Sequence, residues 1–124
     1  MTLLLDTHAL LWWLTGAAMA ETAMARITEG DELVLVSAAS IWEASIKRGL
    51  GKLRFDGDLG AEATTEGFEP LPVTFDHAEH VRSLPPHHRD PFDRILIAQA
   101  QLESLTIVTR DARLEQYDVQ LLGC

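Results

Sequence analysis

The chain has 124 residues, 47% of them apolar and 23% charged, with 10 basic residues against 19 acidic ones and a formal net charge of −9. That length suits one domain, residues 1–124, with a real core; it is too short for two. The acidic balance argues against the basic face of a typical nucleic-acid binder, and it suits a basic protein partner or bound cations.

The only cysteine, Cys124, has no intrachain partner. With no disulfide framework, a reducing, cytoplasmic setting is expected. The apolar N-terminal stretch lacks a preceding basic region and is broken by Asp6, Thr7 and His8. Neither a signal peptide nor a membrane span is therefore expected.

In chain order, Leu3–Leu5 reads as a short buried strand, and His8 to Leu14 as a helix ended near Gly16. Glu21 to Glu29 continues as a second helix, and Gly30-Asp31 turns into a strand over Leu33–Val36. Ser40-Ile41-Trp42-Glu43 matches a capping box, with Ser37 as a competing cap one turn earlier. The helix behind it is expected to run to Arg48 and stop at Gly49. After a loop from Gly49 to Gly60, Leu59 to Glu66 forms a short helix. Glu69 to Val73 can only be an edge strand, because Pro70 and Pro72 cannot donate to a central ladder. Asp76 to Leu84 reads as a helix, followed by a loop to Asp90. Pro91 then occupies a favoured first-turn position, and Phe92 to Leu105 is helical. Strand Thr106–Thr109, a short helix Ala112–Gln116 and a last strand Val119–Leu122 finish the chain. Continuous apolar strands alternating with helices indicate an α/β fold: a mostly parallel sheet of four to five strands with helices on both faces.

Within that frame four carboxylates are marked by position. Asp6 closes the first strand, Asp111 closes the strand before the last, Asp93 opens the long helix, and Glu43 lies in the first turns of the third helix. A helix of roughly 12 residues travels about 18 Å away from Asp93. A strand of about 5 residues brings the chain roughly 16 Å back. Asp93, Asp111 and Asp6 should therefore share the edge of the sheet where ligands bind. At an effective dielectric near 20, each pair of carboxylates ~5 Å apart repels by about 3 kcal/mol. A hard divalent cation, Mg²⁺ or Mn²⁺, turns that repulsion into binding energy. Asp6, Asp93 and Asp111 are the expected ligands, and Glu43 is either a ligand or the group that orients the attacking water. Asp90, three residues before Asp93, is an alternative ligand or the N-cap of its helix. Thr7, Ser40 and Thr109 are placed to support the carboxylates by hydrogen bonds.

Lys47, Arg48, Arg89, Arg94 and Arg110 are candidates for contacting the phosphates of a polyanion, as are Lys52, Arg54 and Arg113, or else they are ordinary solvated charges. The five histidines match no zinc spacing and are expected on the surface or in loops. Trp12, Trp13 and Trp42 read as core or subunit-interface residues.

The segments LLLDTHALLWWL, SAASIWEASIKRGLGKL and LPPHHRDPFDRILIAQAQLESLTIVTRD resemble those of PIN-domain proteins, and most of all the VapC toxins of type II toxin–antitoxin systems. The similarity spans nearly the whole chain except about Asp56 to Val73. The family's acidic quartet corresponds to Asp6, Glu43, Asp93 and Asp111. The resemblance implies a Mg²⁺- or Mn²⁺-dependent endoribonuclease that is a homodimer held inactive by a VapB-like antitoxin.

Two other readings compete. A noncatalytic module could retain the fold, although all four acids are present. An enzyme of the haloacid-dehalogenase type would want a second aspartate two residues after Asp6, where His8 stands.

Overall fold

The computed structural model describes residues 2–124. Its centre is a five-stranded parallel sheet in the order β3-β2-β1-β4-β5. Strand β1 (Thr2–Leu5) leads into α1 (Thr7–Thr15) and α2 (Glu21–Thr28), which return the chain to β2 (Val34–Ser37). Helices α3 (Ala38–Gly49) and α4 (Leu59–Thr65) cross to β3 (Glu69–Leu71). From that edge α5 (Phe75–His80), a 3₁₀ turn at Val81–Ser83 and α6 (Pro91–Glu103) carry the chain back to β4 (Leu105–Thr109). A second 3₁₀ turn, Ala112–Gln116, precedes the other edge strand, β5 (Gln120–Gly123).

Alternate side chains of the central strands supply two cores. Leu3, Leu5, Val34, Val36 and Val108 pack with Leu10, Ala23, Ala44 and Ala63 on one face. Leu4, Leu35, Leu105 and Ile107 pack under Leu96, Ile97 and Ala100 of α6 on the other. Burial on both faces is why these strands read as unbroken apolar runs rather than alternating ones. Pro70 falls on the edge strand, opposite Val36, as its missing donor requires.

Several element ends differ from expectation for identifiable reasons. Helix α3 is capped by Ser37, whose Oγ accepts from the Ala39 N–H at 3.0 Å. The Ser40–Glu43 capping box does not form: Ser40 lies inside the helix, and Glu43 is turned toward Thr7 and Lys47. Gly49 is the last residue of α3, and it is Gly51 that adopts the left-handed backbone, with φ +73°. Helix α5 starts at Phe75, one residue before the expected Asp76, because Thr74 caps it through a reciprocal pair of bonds with His77, and it gives way to the 3₁₀ turn after His80 rather than running to Leu84. Leu105 belongs to β4 rather than to α6, since Ser104 ends the helix at a left-handed φ of 56°. His77 and His88 are not surface residues; their side chains are 2% and 6% exposed.

Leu4 is fully buried at the centre of the sheet, paired with Leu35 and Ile107. Leu4→Ala should destabilise the fold by about 2–5 kcal/mol in urea unfolding, the range for a core leucine whose cavity cannot collapse.

Candidate functional site

The strand order reverses direction at β1 and β4, and the carboxyl ends of those strands form the crevice where open α/β sheets bind ligands. Asp6 stands immediately after β1. It caps α1, its Oδ1 accepting from the Ala9 N–H at 2.8 Å, and its own N–H reaches the Val108 carbonyl on β4. Asp111 stands two residues after β4 and caps the second 3₁₀ turn. Thr109 ties the two together: its hydroxyl bonds the Asp6 carboxylate and accepts from the Asp111 N–H at 3.1 Å.

Glu43 reaches the same crevice from α3. Thr7 Oγ1 donates to its Oε1 at 2.5 Å, and Lys47 Nζ donates to its Oε2 at 2.7 Å. Asp93, in the first turn of α6, sits between Arg113 Nη2 at 3.8 Å and His88 Nε2 at 3.6 Å. Asp90 is the N-cap of α6, with Oδ1 accepting from the N–H groups of Phe92 and Asp93. Ser40 is buried but its Oγ has no hydrogen-bond partner among the described residues, so it supports none of the four acids here.

Electrostatics show that the acids share one space. Asp93 is pushed from an ordinary 3.8 up to about 7, first by burial and then by the charges of Asp90, Asp6, Glu43 and Asp111. Asp6 is raised mainly by burial, against the lowering effect of its bonds to Thr109 and Ala9. Asp111 moves the other way, because Arg113 grips both its oxygens, with Nη2 at 2.6 Å from Oδ2. Lys47 is raised by Glu43 and, more weakly, by Asp90 and Asp93. Two cations thus offset part of the carboxylates' charge. Among the described residues no three acid, histidine or cysteine side chains stand ready around one point to hold an ion.

Of the basic candidates, three serve the fold instead. Arg48 Nη2 donates to the carbonyls of Phe55 and Gly57. Arg94 pins carbonyls of the segment before α6. Arg110 lies 3.9 Å over the Trp12 ring and donates to the carbonyls of Ala18 and Cys124. Arg89, Lys52 and Arg54 are exposed. His8 is also exposed and stacks on Trp12, whereas Arg113 and His88 enter the acidic crevice. Reading position in the chain alone finds Arg113 beside the acids but misses His88, whose approach depends on how the loop before α6 folds back.

The family described as PIN domain matches residues 3–120. The chain belongs to the PIN domain family. Solved structures share the fold of this PIN domain at low identity. A chain of VapBC2 from Rickettsia felis, bound to a DNA fragment from its promoter, superposes with a TM-score of 0.75 at 12% identity, covering 99% of this chain and 98% of that one. FitAcB from Neisseria gonorrhoeae gives 0.65 at 22% identity, covering 98% and 96%. A toxin-antitoxin complex from Klebsiella pneumoniae gives 0.61 at 20% identity, covering 89% and 87%. Comparison with curated proteins returned no match.

The raised Asp93 carboxyl makes the metal-free domain sensitive to pH. A carboxyl that keeps its proton more tightly when folded adds stability below its ordinary value, and that stability is lost as pH rises through about 7. In EDTA, wild type should therefore unfold at lower urea at about pH 8 than at about pH 5, and Asp93→Asn should remove most of that difference. Equal sensitivity in the variant would remove Asp93 as its source.

Proposed function

We propose that this PIN domain is a Mg²⁺- or Mn²⁺-dependent endoribonuclease acting as the toxin of a type II toxin–antitoxin pair. The observation that carries the reading is the crowding of Asp6, Glu43, Asp93 and Asp111 at the carboxyl end of β1 and β4, where burial and like charge raise Asp93 to about 7. The donor set fits a hard cation, being all oxygen. Asp6, Asp93 and Asp111 would hold the ion, and Glu43 would ligate it or orient water. Asp90 is the weaker alternative, since one of its oxygens is engaged in capping α6. A bound Mg²⁺ or Mn²⁺ would supply Lewis acidity, lowering the pKa of a water and neutralising phosphate oxygens.

The chain's own groups do the remaining work. Thr7 and Thr109 fix the Glu43 and Asp6 carboxylates. Arg113, half exposed, must release Asp111 for ligation, and it then becomes available to a phosphate. Lys47, beside Glu43, and exposed Arg89 are the further cations in place to meet an RNA backbone. Among the described residues no helix is long and apolar enough to cross a membrane.

A VapB-like antitoxin is the proposed partner. The overall structural likeness to toxin-antitoxin complexes and the net charge of −9 both suit a basic partner segment reaching the acidic crevice. Self-association into a homodimer has its own support. A groove of about 640 Å³ between α3, α5 and α6 is lined by Trp42, Val73, Val81, Phe92 and Ile95. Trp42 is 63% exposed there, edge-on to Phe92. Apolar surface of this kind marks a protein interface.

Purified protein should cleave single-stranded or looped RNA with Mg²⁺ or Mn²⁺ and stop in EDTA, and Asp6→Asn or Asp93→Asn should abolish cleavage with the fold intact. At free Mn²⁺ about 100 times Kd, the ion should add about 2.7 kcal/mol of stability. Metal-enhanced stability without cleavage would favour a noncatalytic interaction module; cleavage in chelator would point to other chemistry. In sedimentation, Trp42→Glu should shift the protein from dimer to monomer, and an unchanged mass would exclude the groove as the dimer face.

A further inference from the structure

His88 lies in the loop before α6, five positions ahead of Asp93, and its side chain is 6% exposed. One ring nitrogen is satisfied: Nδ1 lies 2.7 Å from the Tyr117 hydroxyl. The other, Nε2, is buried without a hydrogen-bond partner among the described residues and faces Asp93 Oδ2 at 3.6 Å. An unpartnered ring nitrogen aimed at a buried carboxylate needs an explanation.

The surrounding donors fix where the ring proton sits. Arg94 Nη1 donates to the Tyr117 oxygen at 3.1 Å, and a guanidinium can only donate. The phenolic proton must go elsewhere, and among the described residues the recorded acceptor for it is His88 Nδ1. Nδ1 therefore accepts, and the proton of the neutral ring sits on Nε2, directed at Asp93.

We infer that His88 is a positioning residue whose Nε2–H, aimed by Tyr117 and Arg94, sets the orientation of the Asp93 carboxylate. This rests on reading Asp93 as part of a working acidic centre. At 3.6 Å the contact is too long to be a formed hydrogen bond. Arg113 Nη2 competes for the same oxygen from 3.8 Å. The two donors differ in freedom. Arg113 has a side chain 56% exposed and can change partners, whereas the His88 ring is held on its far side by Tyr117. When Arg113 leaves, the carboxylate can turn onto the fixed N–H, which keeps its other oxygen directed into the crevice.

The test uses the full chain and three variants. His88→Gln keeps a donor near the Nε2 position, His88→Asn keeps only the Nδ1 side, and Tyr117→Phe removes the proton that fixes the tautomer. In metal-free protein, long-range ¹H–¹⁵N spectra should show the Nε2–H tautomer in wild type and a mixture in Tyr117→Phe. The Asp93 Cγ resonance should move in His88→Asn and much less in His88→Gln. Titration with Mn²⁺ should show about tenfold weaker binding for His88→Asn, the lower end of the usual cost of losing a group that orients a metal ligand. His88→Gln should recover most of it, and melting curves in EDTA will establish that both variants fold. An Nδ1–H tautomer in wild type, or an Asp93 resonance and Mn²⁺ affinity indifferent to both His88 variants, overturns the assignment. Failure of wild type to bind Mn²⁺ overturns the proposed metal chemistry instead, and the two metal-free spectra still decide the role of His88.

Discussion

Crowded negative charge, held in place by an apolar sheet, is the constraint on which this molecule turns. Asp6 cannot retreat, because it is both the end of β1 and the cap of α1. Asp93 is fixed by the first turn of α6, and Asp111 by the turn that follows β4. Mutual repulsion therefore has no mechanical outlet. It is relieved by Lys47 on Glu43, by Arg113 between Asp111 and Asp93, and by a proton that Asp93 holds up to about pH 7. Any cation entering the crevice competes with these three. An apparent metal affinity would then measure the difference between two ways of neutralising one cluster.

The rest of the fold supplies rigidity to that cluster. Leu3, Leu4 and Leu5 are wholly buried, so the strand carrying Asp6 is gripped from both faces. The hydrogen bonds of Thr109 and Thr7 then convert strand and helix positions into carboxylate positions. Outside the crevice, basic side chains serve mainly as braces, Arg48 and Arg110 each gathering carbonyls from irregular chain.

Much of this was legible in the sequence, and the reasons are physical. The unbroken apolar runs gave away a doubly covered parallel sheet, and the prolines at 70 and 72 marked an edge. The convergence of Asp6, Asp93 and Asp111 followed from simple lengths of helix and strand. What escaped was set by tertiary choice. Ser37 and Ser40 are both competent caps, and only the contacts of Glu43 with Thr7 and Lys47 decide between them. Histidines in a polar loop look solvated, yet His88 is drawn inward by Tyr117, which lies 29 residues away. Arginines near acids look like ligand contacts, but backbone carbonyls claim Arg48, Arg94 and Arg110 because irregular backbone must find donors.

Arg94 shows how far such a claim can reach. Its guanidinium donates to carbonyls of Val81, Leu84, Pro85 and His88 as well as to the Tyr117 hydroxyl. The eight residues from Val81 to His88, a 3₁₀ turn and irregular chain, are thus gathered on a single planar group. Sharing one anchor ties the loosening of these residues to one another, since local opening follows contiguous units. Because this segment borders the groove beside Trp42 and also carries His88, its loosening would disturb a wall of that groove and withdraw a neighbour of Asp93 together.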